Sequence, residues 1–156
     1  MADFTYDLDL EPIQQSIIDF IESEWPGTPV YPDGLVDDET VDKFTDGSVK
    51  PYFILWLRDL NRSPRGRSFG GTRMDSYRSG FDLVAVANKG SESRRLLNLV
   101  SNKIIGWKPL NSGEVVKGNS LWEGSRAVKD SANRPSRFVS TGRFDFGVFQ
   151  RRSDLP

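Results

Sequence analysis

A chain of 156 residues, 37% hydrophobic and with a formal net charge of −1, is long enough for one domain that buries most of the apolar surface its unfolded form would expose. It contains no cysteine and no histidine, which removes disulfides, thiolate and imidazole metal ligands and imidazole acid–base catalysis together, so the expectation is a non-enzyme with no cofactor and no metal centre. No apolar run approaches the roughly 18 residues of a membrane span, and the N-terminal MADFTYDLDLEP is acidic where a secretory signal is basic, so a soluble chain that meets no membrane is expected.

Pro12 suits the first turn of a helix over 12–25, with Ile13, Ile17, Phe20, Ile21 and Trp25 as its apolar stripe and Pro26-Gly27 as its end. Glu11, Asp19, Glu22 and Glu24 fall mostly on the other face, the expected solvated surface. Residues 29–50 mix turn signals with acids and read as a brief strand near Val30 and Tyr31 followed by an extended surface loop. Asp37, Asp38, Glu39 and Asp42 give that loop an acidic face. Their spacing does not follow the alternating pattern of a calcium loop, which favours a solvated acidic segment over a metal site.

The run YFILWLRDL within residues 51–60 is apolar without interruption before Arg58, the mark of a central strand covered on both faces. NRSPRGRSFGGT (61–72) cannot build a core and reads as a long loop. A strand over 73–88 is polar in its first half and apolar from Leu83 to Ala87, consistent with one arm of a hairpin that leaves the sheet at a bulge near Gly80. Ser91 can cap a helix over 92–106, whose stripe is Leu96, Leu97, Val100, Ile104 and Trp107 and which Gly106 and Pro109 stop. Two further strands, 114–122 and 137–149, are separated by a polar connector around 125–136, and in the second Phe144, Phe146 and Val148 alternate with Asp145 and Gly147. The expected fold is a single α+β domain over 1–156: one mixed, mainly antiparallel sheet with two amphipathic helices packed on it and a long projecting β-hairpin.

Charge is divided along the chain. Residues 1–50 hold 13 acids against two lysines, whereas residues 51–156 hold nine acids against 19 lysines and arginines. Either the two segments mix on one folded surface, or the subunit is bipolar and identical copies attract head to tail, as in closed rings. The best candidate site is basic: Arg58, Arg62, Arg65, Arg67, Arg73 and Arg78 around Phe69, Met74 and Tyr77. Such a loop suits contact with acidic protein neighbours first, and nucleic acid second. It lacks the Gly-Lys-Ser/Thr ending of a phosphate-binding loop. Asp59, Asp75 and Asp82 are conceivable as paired carboxylates for acid–base chemistry, but nothing in the sequence brings them together.

DGSVKPYFILW (46–56), FDLVAVAN (81–88), SRRLLNLVSNKIIGWKP (93–109) and the late aromatic strand together resemble the tail terminator proteins of long-tailed bacteriophages, also called minor tail or tail completion proteins, in the form carried by phages of actinobacteria. The resemblance spans about residues 29–150 and carries no catalytic residue. It implies a virion protein at the head-proximal end of the tail, made in the host cytoplasm. Such a subunit forms a homohexameric ring that caps the tail tube, stops tube polymerisation and docks the head–tail connector, with DNA passing through the lumen. The stretch 61–78 then matches an arm toward neighbours, with Arg62, Arg65, Arg67, Phe69, Arg73, Met74, Tyr77 and Arg78 as its contact residues. A nucleic-acid-binding module using loop 61–78 and a neighbouring head-closure or neck protein are the alternatives.

Overall fold

Four isoleucines, Ile13, Ile17, Ile18 and Ile21, bury one side of the first helix, and their spacing is the reason it forms. In the computed structural model, which describes residues 10–33, 40–58, 61–62, 74–118, 127–130 and 136–151, this helix, α1, spans Glu11–Glu24 with proline in its first turn. Proline costs nothing there, because a first-turn N–H has no intrahelical acceptor to lose. β1 (Val30–Pro32) runs parallel to β2 (Tyr52–Leu57), in register Val30↔Phe53. β3 (Asn61–Arg62), β4 (Met74–Ala87), α2 (Gly90–Ile104), β5 (Val116–Lys117), β6 (Val128–Asp130) and β7 (Arg137–Arg151) follow. The sheet order is β1-β2-β4-β7-β5, with β3 on β4 and β6 on β7, and every pairing except β1–β2 is antiparallel. The fold is α+β, a mixed and mainly antiparallel sheet carrying two helices.

Strand alternation sorts the side chains. Phe53 and Leu55, then Phe81, Leu83, Ala85 and Ala87, then Phe144, Phe146 and Val148 turn toward Ile13, Ile17 and Ile21 of α1 and Leu96, Leu97, Val100 and Ile104 of α2, forming the main core. Where α2 lies closest, the sheet offers small residues: a Cβ on Gly142 would stand 3.1 Å from Leu97 Cδ1. In the same place the hydroxyls of Ser93 and Ser140 are 2.9 Å apart and buried. Ser93 Oγ also donates to the Gly90 carbonyl at 3.0 Å, whereas Ser140 Oγ has no second partner among the described residues. Ser93→Ala therefore strands a buried hydroxyl and is expected to cost about 1–3 kcal/mol, more than Ser140→Ala at about 1 kcal/mol. Urea denaturation with an unchanged m-value measures the difference.

A smaller core lies on the other face. Val41 and Val49 pack on Tyr52 and Val86, with Tyr31, Ile54, Val84 and Val139 around them. The segment that carries the two valines folds back on itself through a Lys43↔Val49 bridge and a Lys50 N–H to Asp42 carbonyl bond of 2.8 Å. Residues 40–50 are thus partly core, not the extended surface loop that their polarity implies. Beside them Arg137, only 3% exposed, donates to the Tyr52 hydroxyl at 2.9 Å.

Other expectations change in detail. β2 ends at Leu57 and lies between β1 and β4, so β4 and β7, paired from Met74↔Arg151 to Ala87↔Phe138, form the sheet's centre. Among the described residues the second face of β2 is covered at Tyr52 and partly at Ile54, whereas Trp56 is 44% exposed. β3 occupies a stretch read as loop, and β6 a stretch read as connector; both are too short and polar to show a period. β5 covers only Val116–Lys117 of the strand expected over 114–122, of which 119–122 lie outside the described residues. α2 begins before Ser91, with Lys89 as N-cap and no side-chain cap bond. Its end is set by Gly106, whose φ of 90° suits glycine and whose N–H bonds the Val115 carbonyl at 2.8 Å. Trp107 lies beyond the helix and stacks on Phe20 of α1, ring centroids 4.3 Å apart.

Candidate functional site

Beyond the core, β4 and β7 continue as a paired ribbon, Arg78↔Gly147 to Met74↔Arg151, and β3 lies along it through Asn61↔Arg78 and Arg62↔Tyr77. β3, β4 and β7 therefore form a three-stranded ribbon on either side of the arginine-rich stretch 63–73, which itself lies outside the described residues. Arg62, Met74 and Tyr77 hold register positions on this ribbon, and Arg78 is exposed. Arg65, Arg67, Phe69 and Arg73 lie outside the described residues, as do Asp37, Asp38 and Glu39 of the acidic face. Asp42 is described and exposed.

Arg58 departs from the basic cluster assigned to it. It turns onto the helix-free face of the sheet, where its guanidinium donates from Nη2 to the Phe144 carbonyl at 2.5 Å and to Asp145 Oδ1 at 2.6 Å. Its Nε faces Asp82 Oδ1 at 3.8 Å, and Arg143 Nε approaches the same oxygen at 3.4 Å. Asp82, Arg143 and Asp145 share this face because Asp82↔Arg143 and Gly80↔Asp145 are cross-strand partners. The backbone is tied in as well: Arg58 N–H bonds the Gly80 carbonyl at 2.8 Å, and Ser79 Oγ donates to the Arg58 carbonyl at 2.9 Å. Four charged side chains thus clamp the point where the β4–β7 ribbon leaves the body. All are about a third to nearly half exposed, so solvent screens each pair and the clamp acts mainly by fixing geometry.

Gly80 does not mark a bulge in the central pair, whose register runs through it without a break. The register shift is on its other side, between Leu57↔Phe81 and Asn61↔Arg78, where one more residue is used by the β2–β3 chain than by β4. Arg143 and Asp145 were missed as members of the clamp. Their alternation with Phe144 and Phe146 was the available signal, since it puts them on the face of Asp82 once β4 and β7 are paired. Of the three carboxylates considered for acid–base chemistry, Asp82 is held between two arginines, Asp75 sits on the ribbon opposite Gln150, and Asp59 is outside the described residues.

The acidic side gathers at the β1 edge. Glu22 Oε1 accepts from Val30 N–H at 3.3 Å, Gln14 Nε2 donates to Asp33 Oδ1 at 3.4 Å, and Asp42 adjoins Val41 beneath Tyr31. The Tyr31 hydroxyl is raised above its ordinary pKa, first by burial and then by the charge of Asp42, by Tyr52 and by the charge of Glu22. Among the described residues no group of three or more acids is placed to hold a metal ion, and no helix is long and apolar enough to cross a membrane.

No family model and no curated protein matches the chain. Among solved structures, one with no stated function matches over 97% of this chain and 99% of its own, at 16% identity and a TM-score of 0.44.

Proposed function

We propose that this chain is a structural virion subunit of the tail-terminator kind. It assembles as a ring at the head-proximal end of a phage tail tube, ends tube polymerisation and docks the head–tail connector. The observation that carries the reading is the arm: a ribbon that extends the two central strands past the core, is clamped at its base by Arg58, Asp82, Arg143 and Asp145, and leads into a segment with Arg65, Arg67 and Arg73 and no acid. Rigid at the root and cationic beyond it, such an element suits reaching an acidic neighbour in an assembly. The likeness of residues 29–150 to tail terminators supplies the particular assembly.

The test is capping. A ring of six 17.6 kDa chains has a mass of about 106 kDa, and purified protein added to growing tail tubes should arrest them, with a ring visible at one end by electron microscopy. Arg65→Ala/Arg67→Ala should lower capping at least tenfold while leaving the unfolding curve in place. Protein that neither caps tubes nor forms rings, and instead binds DNA with steep salt dependence that the same double substitution removes, would replace this reading with the nucleic-acid one.

A further inference from the structure

We infer that the two outer edges of the sheet are the complementary halves of a contact between copies of this chain, the acidic β1 edge of one copy receiving the valine–lysine edge formed by β5 and β6 of the next. The inference rests on the ring reading and names the surfaces that close it.

On the receiving edge Glu22, Asp33 and Asp42 gather around β1. Lys43 and Lys50 are on the same side, but Lys50 is turned over the Phe44 ring, 5.9 Å from its centroid. α1 adds Asp19 and Glu24 and has no lysine or arginine. Glu22 and Glu24 stand in its last turn, where the helix dipole disfavours negative charge, so the arrangement costs stability that a neighbouring cation would return.

The opposite edge is built by register. Val116↔Asp145 and Val128↔Val139 set both valines on the helix-free side of β7's outer edge, while Lys117↔Phe144 and Lys129↔Phe138 set both lysines on the helix side. The two valine–lysine pairs are six β7 residues apart, about 20 Å. Val116 is 52% and Val128 55% exposed, the two most exposed large hydrophobics among the described residues. Among the described residues neither Lys117 nor Lys129 has an ion pair, and Glu114 is an exposed acid nearby. A short edge that carries apolar side chains beside unpaired lysines is guarded against random strand addition, yet fitted to an acidic surface. Helix-side lysines also match the position of Glu22, on the helix that lies over the same side of the sheet. Because the two halves sit on different edges, the contact is heterologous, and repetition closes a ring when the rotation permits.

Light scattering and sedimentation of the full chain at about 50 mM and 1 M salt test this. Wild type should exceed 17.6 kDa at low salt and approach it at high salt. Lys117→Glu/Lys129→Glu and Glu22→Lys/Asp42→Lys should each be monomeric at low salt, and an equimolar mixture of the two should recover assembly. Circular dichroism and thermal unfolding confirm folding, and Glu22→Gln/Asp42→Asn, which keeps the acceptor for Val30, should weaken assembly at least tenfold without loss of the β1 pairing. Reversed variants that assemble like wild type, a mixture that fails to recover, or wild type monomeric at low salt overturns the edge contact. If such variants still form rings on tube ends, the ring reading stands without it; if wild type neither assembles nor caps tubes, both fall. Binding of an acidic peptide at Lys117 and Lys129 with no self-association would give the edge a different occupant and also overturn the contact.

Discussion

Truncating Phe81 to alanine is expected to destabilise the protein by about 3–5 kcal/mol, the range for removing a buried ring from a packed core. Phe81 is fully buried at the crossing of the three longest strands, paired with Leu57 on one side and Phe144 on the other. Its ring stacks on Phe144 at 5.1 Å and meets Phe146 at 6.1 Å, so the substitution removes both aromatic contacts and leaves a void under α1 and α2. Against a total stability of about 5–15 kcal/mol for a domain of ordinary size, that is a large share. Phe44→Ala, at a ring 43% exposed, is the matched control and should cost less than about 1 kcal/mol. Chemical denaturation of the two variants beside wild type gives both numbers. A loss below about 1.5 kcal/mol at Phe81 would mean that the three rings do not form the centre of the core.

The features that periodicity could show were those that bury a continuous stripe. α1 and α2 announced themselves through Ile13, Ile17 and Ile21 and through Leu96, Leu97, Val100 and Ile104, all now in the main core, and the alternation of Phe144, Phe146 and Val148 gave the inward face of β7. Elements that exist only because a neighbour offers hydrogen bonds left no such trace. β3 and β6 are two and three residues long and take their conformation from β4 and β7. Trp107 showed the same limit from the other side: its spacing continued the helical stripe, but Gly106 had already turned the chain, and the ring was spent on Phe20. At the candidate site the chemistry of the arginines was legible and their placement was not. Arg58 belonged by sequence to the basic cluster, and only the pairing of β4 with β7, a long-range contact, brought Asp82 and Asp145 within its reach.

That same pairing sets the second large effect, at Gly80. Its φ is unexceptional, so the need for glycine there is spatial: a Cβ would collide with the Arg58 guanidinium and with the Phe144 carbonyl. Gly80→Ala is expected to cost about 3 kcal/mol, because one of the two obstacles is backbone in the middle of the longest strand pair and cannot swing aside. Arg58→Ala alone, which loses half-exposed bonds to Phe144 and Asp145, should cost about 1 kcal/mol. The double variant separates the causes. Were the guanidinium the only obstacle, Arg58→Ala/Gly80→Ala would be no less stable than Arg58→Ala; since the carbonyl remains, it should stay at least about 1.5 kcal/mol below it, while the coupling between the sites shows how much of the clash the side chain supplied. Hydrogen exchange adds the functional readout. In Gly80→Ala the amides of residues 74–79 and their partners in β7 should exchange at least tenfold faster relative to those of α2, because the clamp that fixes the root of the arm has been pried open. Equal acceleration everywhere would mean that the clamp stabilises the whole sheet and does not hold the ribbon in particular.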